Sequence, residues 1–334
     1  MIHLLTEILQ TEQYVCLIAT DFSRAFDTVR HSYLAETLAD LPIPDNIFNW
    51  IIALLNNRSH CTKFLGKTSE YLLITASVIQ GSGLGPSNFI TVISRLKVQM
   101  RNNHLLKYAD DGYLVIPASN ISTALTELKG VEIWAAKCNL KLNLSKSKEM
   151  IITLSHSRPY SPPPEIPGVT RVHELKILGV LMNDKMSFDS HINLICTRAS
   201  QSFFAIRRLR DHGLSGDSLH DVVRATTIAR LLYASSSWLG FINADSRNRL
   251  ESIIKKLVRN GNLPKDQKSF STLSSDANQT LFRAIINNPS HLLHALLPPV
   301  KISQYSLRPR HHNRIIPVAN NGQRRDFIIR MLYF

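Results

Sequence analysis

Lys107-Tyr108-Ala109-Asp110-Asp111-Gly112-Tyr113-Leu114-Val115-Ile116 places two adjacent carboxylates between two apolar flanks. Leu105, Tyr108, Leu114, Val115 and Ile116 favour strand, and Gly112 punctuates them. The pattern predicts a tight β-hairpin with Asp110 and Asp111 at its tip. Neighbouring carboxylates repel each other, and a divalent cation is the usual offset. Asp-Asp-Gly is also ordinary turn chemistry, so a solvated turn explains the stretch taken alone. A second stretch separates the two readings. Tyr14-Val15-Cys16-Leu17-Ile18-Ala19-Thr20 is a short apolar run that ends in Asp21. A carboxylate at the end of a buried strand has few structural uses. Beside a hairpin carrying Asp110, it completes a set of hard oxygen ligands for Mg²⁺. Two such ions roughly 3.5–4 Å apart are the standard device for in-line transfer at phosphorus.

Three ordered segments carry a family resemblance. Asp21-Phe22-Ser23-Arg24-Ala25-Phe26-Asp27-Thr28-Val29, Gln80-Gly81-Ser82-Gly83-Leu84-Gly85-Pro86 and Tyr108-Ala109-Asp110-Asp111 resemble motifs A, B and C of reverse transcriptases. The closest likeness is to non-LTR retrotransposons of the LINE type, jockey-like elements among them. The resemblance implies an α+β polymerase palm, with a split βαβ arrangement and an antiparallel sheet, partial fingers and a helical thumb. It implies that Asp21 and Asp110 hold two Mg²⁺ with Asp111 in support. The expected partners are an RNA template, a DNA primer and deoxynucleoside triphosphates. The Asp21-Phe22 motif joins the nucleotide-binding set. Phe26 becomes a steric gate against a 2′-hydroxyl, the alternative being a core aromatic. Gln80 is expected to contact nucleotide or template base, and Gly81 to allow close backbone approach. Val78 and Ile79 stand where the family usually has Gly and Pro. Leu140–Lys148 resembles motif D, with Lys146, or else Lys148, donating a proton to the leaving pyrophosphate or neutralising it; a solvated basic loop is the alternative. Leu175–Leu181 resembles motif E, the primer grip, against a plain core strand.

Composition fits this reading. The 334 residues leave room for about two domains, and 44% hydrophobic residues support real cores. The net charge of +14 is uneven. Residues 1–150 hold 14 Lys+Arg against 13 Asp+Glu, so of the chain totals of 39 and 25 the remainder holds 25 and 12, or +13. A basic half suits a polyanionic partner. Cys16, Cys61, Cys138 and Cys196 are far apart, with neither a CxxC nor zinc spacing, which points to a reducing compartment. No apolar run approaches about 20 residues, so no membrane span is expected. A nuclear destination is only what the family implies.

Along the chain, helices are predicted over 1–12, 31–41, 45–56, 87–101 and 119–138, with Asp27 and Thr28 capping the second and Ser119 the last. Ile47, Trp50, Ile51, Leu54 and Leu55 are assigned to the core, as are Phe89, Ile90, Ile93, Leu96 and Met100, then Leu125, Leu128, Ile133 and Trp134. Residues 61–65 and 71–76 form a hairpin around Gly66–Ser69, 149–154 a strand, and 157–168 a Pro-rich surface loop. Basic helices follow: one from Ser187, one from Ser215 or Asp217 toward Arg230, and one over 243–260. These suit a thumb that holds a duplex by its phosphates. Short helices over 281–287 and 291–297 precede the basic run Arg308–Arg314, read as a solvated tail.

The expected division is 1–183 for fingers remnant and palm, 184–260 for thumb, and 261–334 for a basic C-terminal region. Only about twenty residues precede Asp21, where family members carry more, and neither an endonuclease domain nor a zinc knuckle is visible. A truncated copy or partial gene of a retrotransposon is the expectation. The competing function is an inactive remnant that only binds nucleic acid. A palm-type RNA polymerase fits less well: Ala109 stands where such enzymes carry Gly, and Phe26 where a ribonucleotide needs room.

Overall fold

The computed structural model describes residues 1–79, 81–154, 161–301 and 312–333. The chain forms two compact units. One is built on Glu12–Ile152 and continues to His173; the other takes in Met1–Thr11 and Glu174–Phe334.

The first unit is organised by a five-stranded sheet. Its strands are β1 (Val15–Thr20), β2 (His104–Tyr108), β3 (Asp111–Pro117), β4 (Lys148–Ile152) and β5 (Thr170–Arg171), in the order β5-β4-β1-β3-β2. All neighbours are antiparallel except β4 and β5. β1 is central and reads as unbroken hydrophobic sequence because Val15, Cys16, Leu17 and Ile18 are all fully buried. Helices α1 (His31–Ala39), α2 (Asp45–Leu55), α3 (Leu84–Ser94) and α4 (Ala124–Lys137) supply the rest of the core. Leu34, Leu38, Ile51, Leu55, Phe89, Val92, Leu128 and Trp134 pack with Cys16, Ile18, Leu114 and Ile116 of the sheet.

Several helix expectations shift for identifiable reasons. α3 begins at Leu84, inside the Gly-rich loop, and stops at Ser94. Lys107 Nζ donates to the carbonyls of Ile93 and Leu96, both at 2.9 Å, and thereby takes acceptors at the helix end. The buried Glu127 carboxylate then accepts the N–H groups of Gln99 (2.9 Å) and Met100 (2.8 Å) and fixes a turn where helix was expected. Ile90, Met100, Leu125, Ile133, Ile47 and Trp50 are exposed rather than inward. α4 starts at Ala124 after a 3₁₀ segment, Ala118–Thr123. Ser119 does not cap it; its N–H and hydroxyl both donate to Glu12. Asp27 and Thr28 lie in a one-turn helix, Ala25–Thr28, and the cap position of α1 is Arg30. The expected hairpin is two short ladders, Ser59–His60 with Leu72–Leu73 and Lys63–Phe64 with Lys67–Thr68. Its tip at Leu65-Gly66 is left-handed at both residues.

The second unit holds the hairpin β6 (Glu174–Ile177) and β7 (Val180–Asn183), then α5 (Asp189–Asp211), α6 (Ala244–Arg259) and α7 (Phe270–Asn287). Asn243 Oδ1 accepts the Ser246 N–H at 2.8 Å and caps α6. The stretch expected as one helix toward Arg230 runs without a gap from Gly216 to Leu232, with a π turn at Arg224–Ile228 inside it. α7 replaces the short helix expected at 281–287, and its cap is Ser269, whose Oγ accepts from Thr272 N at 3.1 Å. Of the helix expected at 291–297, a 3₁₀ turn at His294–Leu296 forms. Ser157–Tyr160 of the Pro-rich loop and Arg308–His311 of the basic run lie outside the described residues. No helix among those described is long and apolar enough to cross a membrane.

Replacing Glu127 with Ala leaves two backbone N–H groups and the Asn103 amide without their charged acceptor. A loss of about 3 kcal/mol in urea unfolding is expected, since buried donors stripped of a charged partner bear their desolvation cost.

Candidate active site

The site grows from the register of β1 against β3. Thr20 pairs with Gly112, and Thr20 Oγ1 donates to the Gly112 carbonyl at 3.1 Å. Asp21 follows immediately, beside the Asp110-Asp111 end of the hairpin. Tyr108 pairs with Asp111, so the tip is Ala109-Asp110, and Ala109 takes the left-handed conformation (φ 51°). The tip is therefore one residue earlier than expected, with Asp111 already in the ladder. A β-carbon on Gly112 would collide with Thr20 Oγ1, so glycine lets the two strands close at this end.

Asp110 and Asp21 both act on Asp111. Asp111 is held above the ordinary aspartate range by burial first, then by Asp110, then by Asp21. Such an arrangement of hard oxygen donors, in mutual repulsion, fits a divalent cation. Among the described residues, no three His, Cys, Asp or Glu side chains are already grouped about one metal-sized point. The donor chemistry fits the ion, and the ligand geometry is not preformed.

The backbone of Asp21 is gripped by residues that sequence reading passed over. The N–H of Asn143 donates to the Asp21 carbonyl at 2.8 Å, and the Asp21 N–H donates to Ser147 Oγ at 3.2 Å. Ser147 is fully buried and donates in turn to the Asn143 carbonyl at 2.8 Å. Lys146 lies exposed within this same turn, its N–H on Asn143 Oδ1 at 3.2 Å. Lys148 pairs with Ala19 in the sheet. Asn and Ser at 143 and 147 are ordinary turn residues, which is the only signal the sequence offers for them.

Phe22 is in the core, edge-on to Trp134 at 6.0 Å, and its backbone pairs with Leu142. Phe26 is half-buried and stacks on Phe89 of α3, with ring centroids 4.6 Å apart. The Phe26 and Val29 carbonyls accept the Val78 and Ser77 N–H groups, each at 2.8 Å, so the segment after Asp21 and the segment before the Gly-rich loop are joined twice. Gly81 has φ 78°, a conformation that only glycine adopts without strain, and it is exposed. Gln80 lies outside the described residues. The β6–β7 hairpin carries the segment expected as a primer grip, turning at Leu178-Gly179.

Residues 2–182 match the family "Reverse transcriptase (RNA-dependent DNA polymerase)", and the chain belongs to it. It is 28% identical over 208 residues to the RNA-directed DNA polymerase from mobile element jockey of Drosophila funebris, covering 56% of this chain and 21% of that protein. It is 26% identical over 225 residues to the probable RNA-directed DNA polymerase from transposon BS of Drosophila melanogaster, covering 62% and 25%. The chain thus spans about a quarter or less of the length of these relatives. The likeness to jockey-like, non-LTR elements expected from the motifs is borne out. Apo telomerase from Candida tropicalis aligns at 14% identity and a TM-score of 0.45, over 88% of this chain and 47% of that one.

Two outcomes test the site. Gly112→Ala is expected to destabilise by about 1–3 kcal/mol, the usual cost of overpacking. The cost shrinks in a Thr20→Ala background, where the colliding hydroxyl is gone; a double-mutant cycle by urea unfolding reads the coupling. Asp111 has a raised folded-state pKa, so its ionisation opposes folding as pH rises from the ordinary aspartate range through the raised value. Asp111→Asn is expected to stabilise the metal-free chain at pH 7, with the gain vanishing as pH falls below that window.

Proposed function

We propose that this chain carries the palm of an RNA-directed DNA polymerase and adds deoxynucleotides to a primer 3′ end on an RNA template. One observation carries the proposal: Asp21 follows β1 directly and Asp110 and Asp111 stand at the same end of its partner β3, where Asp110 and Asp21 add to burial in holding the Asp111 pKa up. Three carboxylates in repulsion at the end of a buried strand have no packing role and suit cations that bind phosphate oxygens.

In this reading Asp21 and Asp110 would hold Mg²⁺, two ions in the family's manner, and Asp111 would support them. Bound there, the ions supply charge for the attacking hydroxyl and the leaving pyrophosphate. The chain's own residues do the positioning. Ser147 and Asn143 fix the backbone of Asp21, so its carboxylate presents from a rigid base. Gly81 opens a close approach for triphosphate or template beside α3. Phe26, braced by Phe89, presents an immobile ring edge to the sugar and excludes a 2′-hydroxyl. Lys146, exposed in the turn that grips Asp21, neutralises or protonates the pyrophosphate. Gln80 completes the nucleotide contacts. Residues 1–183 serve as fingers remnant and palm, 184–260 as thumb and 261–334 as a basic C-terminal region; the thumb holds template and primer through phosphate contacts.

A second reading is nucleic-acid binding without catalysis. The charge of the chain suits it equally, since residues 151–334 hold 25 Lys+Arg against 12 Asp+Glu. Primer extension on an RNA template with Mg²⁺ separates the two. Extension is expected from the native chain, with a loss of at least about a hundredfold in Asp110→Asn, the scale on which a lost electrostatic group acts on a transition state. No extension from the native chain, with salt-sensitive duplex binding intact, would assign the binding-only reading. Ser147→Ala is expected to lower extension while Asp21 remains in place, which identifies Ser147 as a positioning residue if KM is unchanged and kcat falls.

A further inference from the structure

The second unit holds a cavity of about 290 Å³ between α6, α7 and the C-terminal helix Phe327–Leu332. Three guanidinium groups line it, one from each element: Arg247, Arg283 and Arg330. Ser271, Ser274 and Ser275 of α7 line it too. No carboxylate is among the described residues that form its wall. Like charges around one small space, partly walled by Phe282 and Met331, favour an anion among them, and Arg247 and Arg330 act on each other directly.

Arg330 shows the imbalance most clearly. Its Nη1 is buried and has no hydrogen-bond partner among the described residues. It packs so closely beside Gly240 that a β-carbon there would come within 2.5 Å. Burial lowers the Arg330 pKa to about 10, and Arg247 pushes it in the same direction. Asp326 offsets part of this, but its Oδ2 already accepts from His3 (2.9 Å) and from the Ile328 N–H (3.0 Å). Glu251 accepts the Ser271 N–H at 3.2 Å and is not part of the cavity wall.

We propose that this cavity is a phosphate-binding site, in which Arg247, Arg283 and Arg330 converge on a tetrahedral phosphoryl group and the Ser271 and Ser275 hydroxyls of α7 add neutral donors, the Ser274 hydroxyl being taken by the Ser271 carbonyl. Guanidinium forks match phosphate oxygens bidentately, and an anion here supplies the counter-charge that Asp326 gives Arg330 only in part. The occupant is either a nucleic-acid backbone phosphate or free phosphate, pyrophosphate included. The site does not rest on the polymerase reading: Arg247 falls within the proposed thumb, but Arg283 and Arg330 lie outside it and none of the three is assigned to chemistry.

Thermal unfolding of the full chain in inorganic phosphate, against sodium chloride of equal ionic strength, tests it. A ligand that binds only the folded state raises Tm with concentration. Phosphate is expected to raise Tm beyond the chloride control, and Arg283→Gln, at an exposed position, to weaken the apparent affinity about tenfold. Arg330→Gln is expected to abolish the response; should it fail to fold, Arg283→Gln decides alone. Equal responses to phosphate and chloride, or an unchanged phosphate response in Arg283→Gln, would overturn the proposal. A short single-stranded RNA distinguishes the two sources. If RNA affinity also falls in Arg283→Gln and phosphate competes with RNA, the occupant is a backbone phosphate. If phosphate binding is lost while RNA affinity is unchanged, the site takes the free anion.

Discussion

The antiparallel pairing of β1 with β3 runs from Val15↔Pro117 to Thr20↔Gly112 and stops one residue short of Asp21. That register puts carboxylates from distant parts of the sequence at the same end of the sheet. A slip of one residue would turn Val15 and Leu17 to the opposite face and carry Asp21 away from Asp111. The pairing is secured on both sides, since β1 also pairs with β4 from Val15↔Ile152 to Ala19↔Lys148. The packing cost of a slip on a strand fitted into the core on both faces therefore protects an electrostatic arrangement that is itself unfavourable without cations.

The surrounding elements are tied to this strand end by hydrogen bonds as well as by packing. Asn143 and Ser147 hold the Asp21 backbone, and Lys107, on the hairpin strand β2, holds the end of α3. Phe26 leans on Phe89 of the same helix, and its carbonyl binds Val78 ahead of the Gly-rich loop. The three motifs that resemble reverse transcriptases thus share one framework: displacement of α3 is transmitted both to the hairpin and to the aromatic after Asp21. Lys107 has a pKa lowered by burial and then by Lys97, a cost offset by its carbonyl acceptors.

The central strand, the catalytic hairpin and their meeting at Asp21 were legible because each leaves a short-range mark. Val15–Thr20 is an unbroken apolar run, and Asp110-Asp111-Gly112 interrupts a second one. What the sequence concealed is long-range or one-sided. Helical spacing marks a stripe without giving its width, so Trp50 and Ile90 were assigned inward yet face solvent. The grip of Ser147 on Asp21 joins residues 126 positions apart and has no periodic trace. Lys107 ended α3 early through side-chain contacts with its carbonyls, which propensity does not register. α7 was partly missed because Ser271–Thr280 is rich in Ser, Asp, Asn and Thr, the composition of a loop. Buried Phe270, Phe282 and Ile285 make it a helix through tertiary packing.

The central position of β1 also sets the order in which this sheet can be made. Its first partner, β3, begins nearly a hundred residues later in the chain, and β4 on its other side later still. At about 5–20 residues per second of synthesis, Val15 leaves the ribosome roughly 7–27 s before its partner Ile152. Until β3 emerges, this apolar strand has both edges open, the state most prone to pairing with another chain, and one edge stays open until β4 follows. The β2–β3 hairpin, whose pairs are local in sequence, is the first element able to close one of those edges.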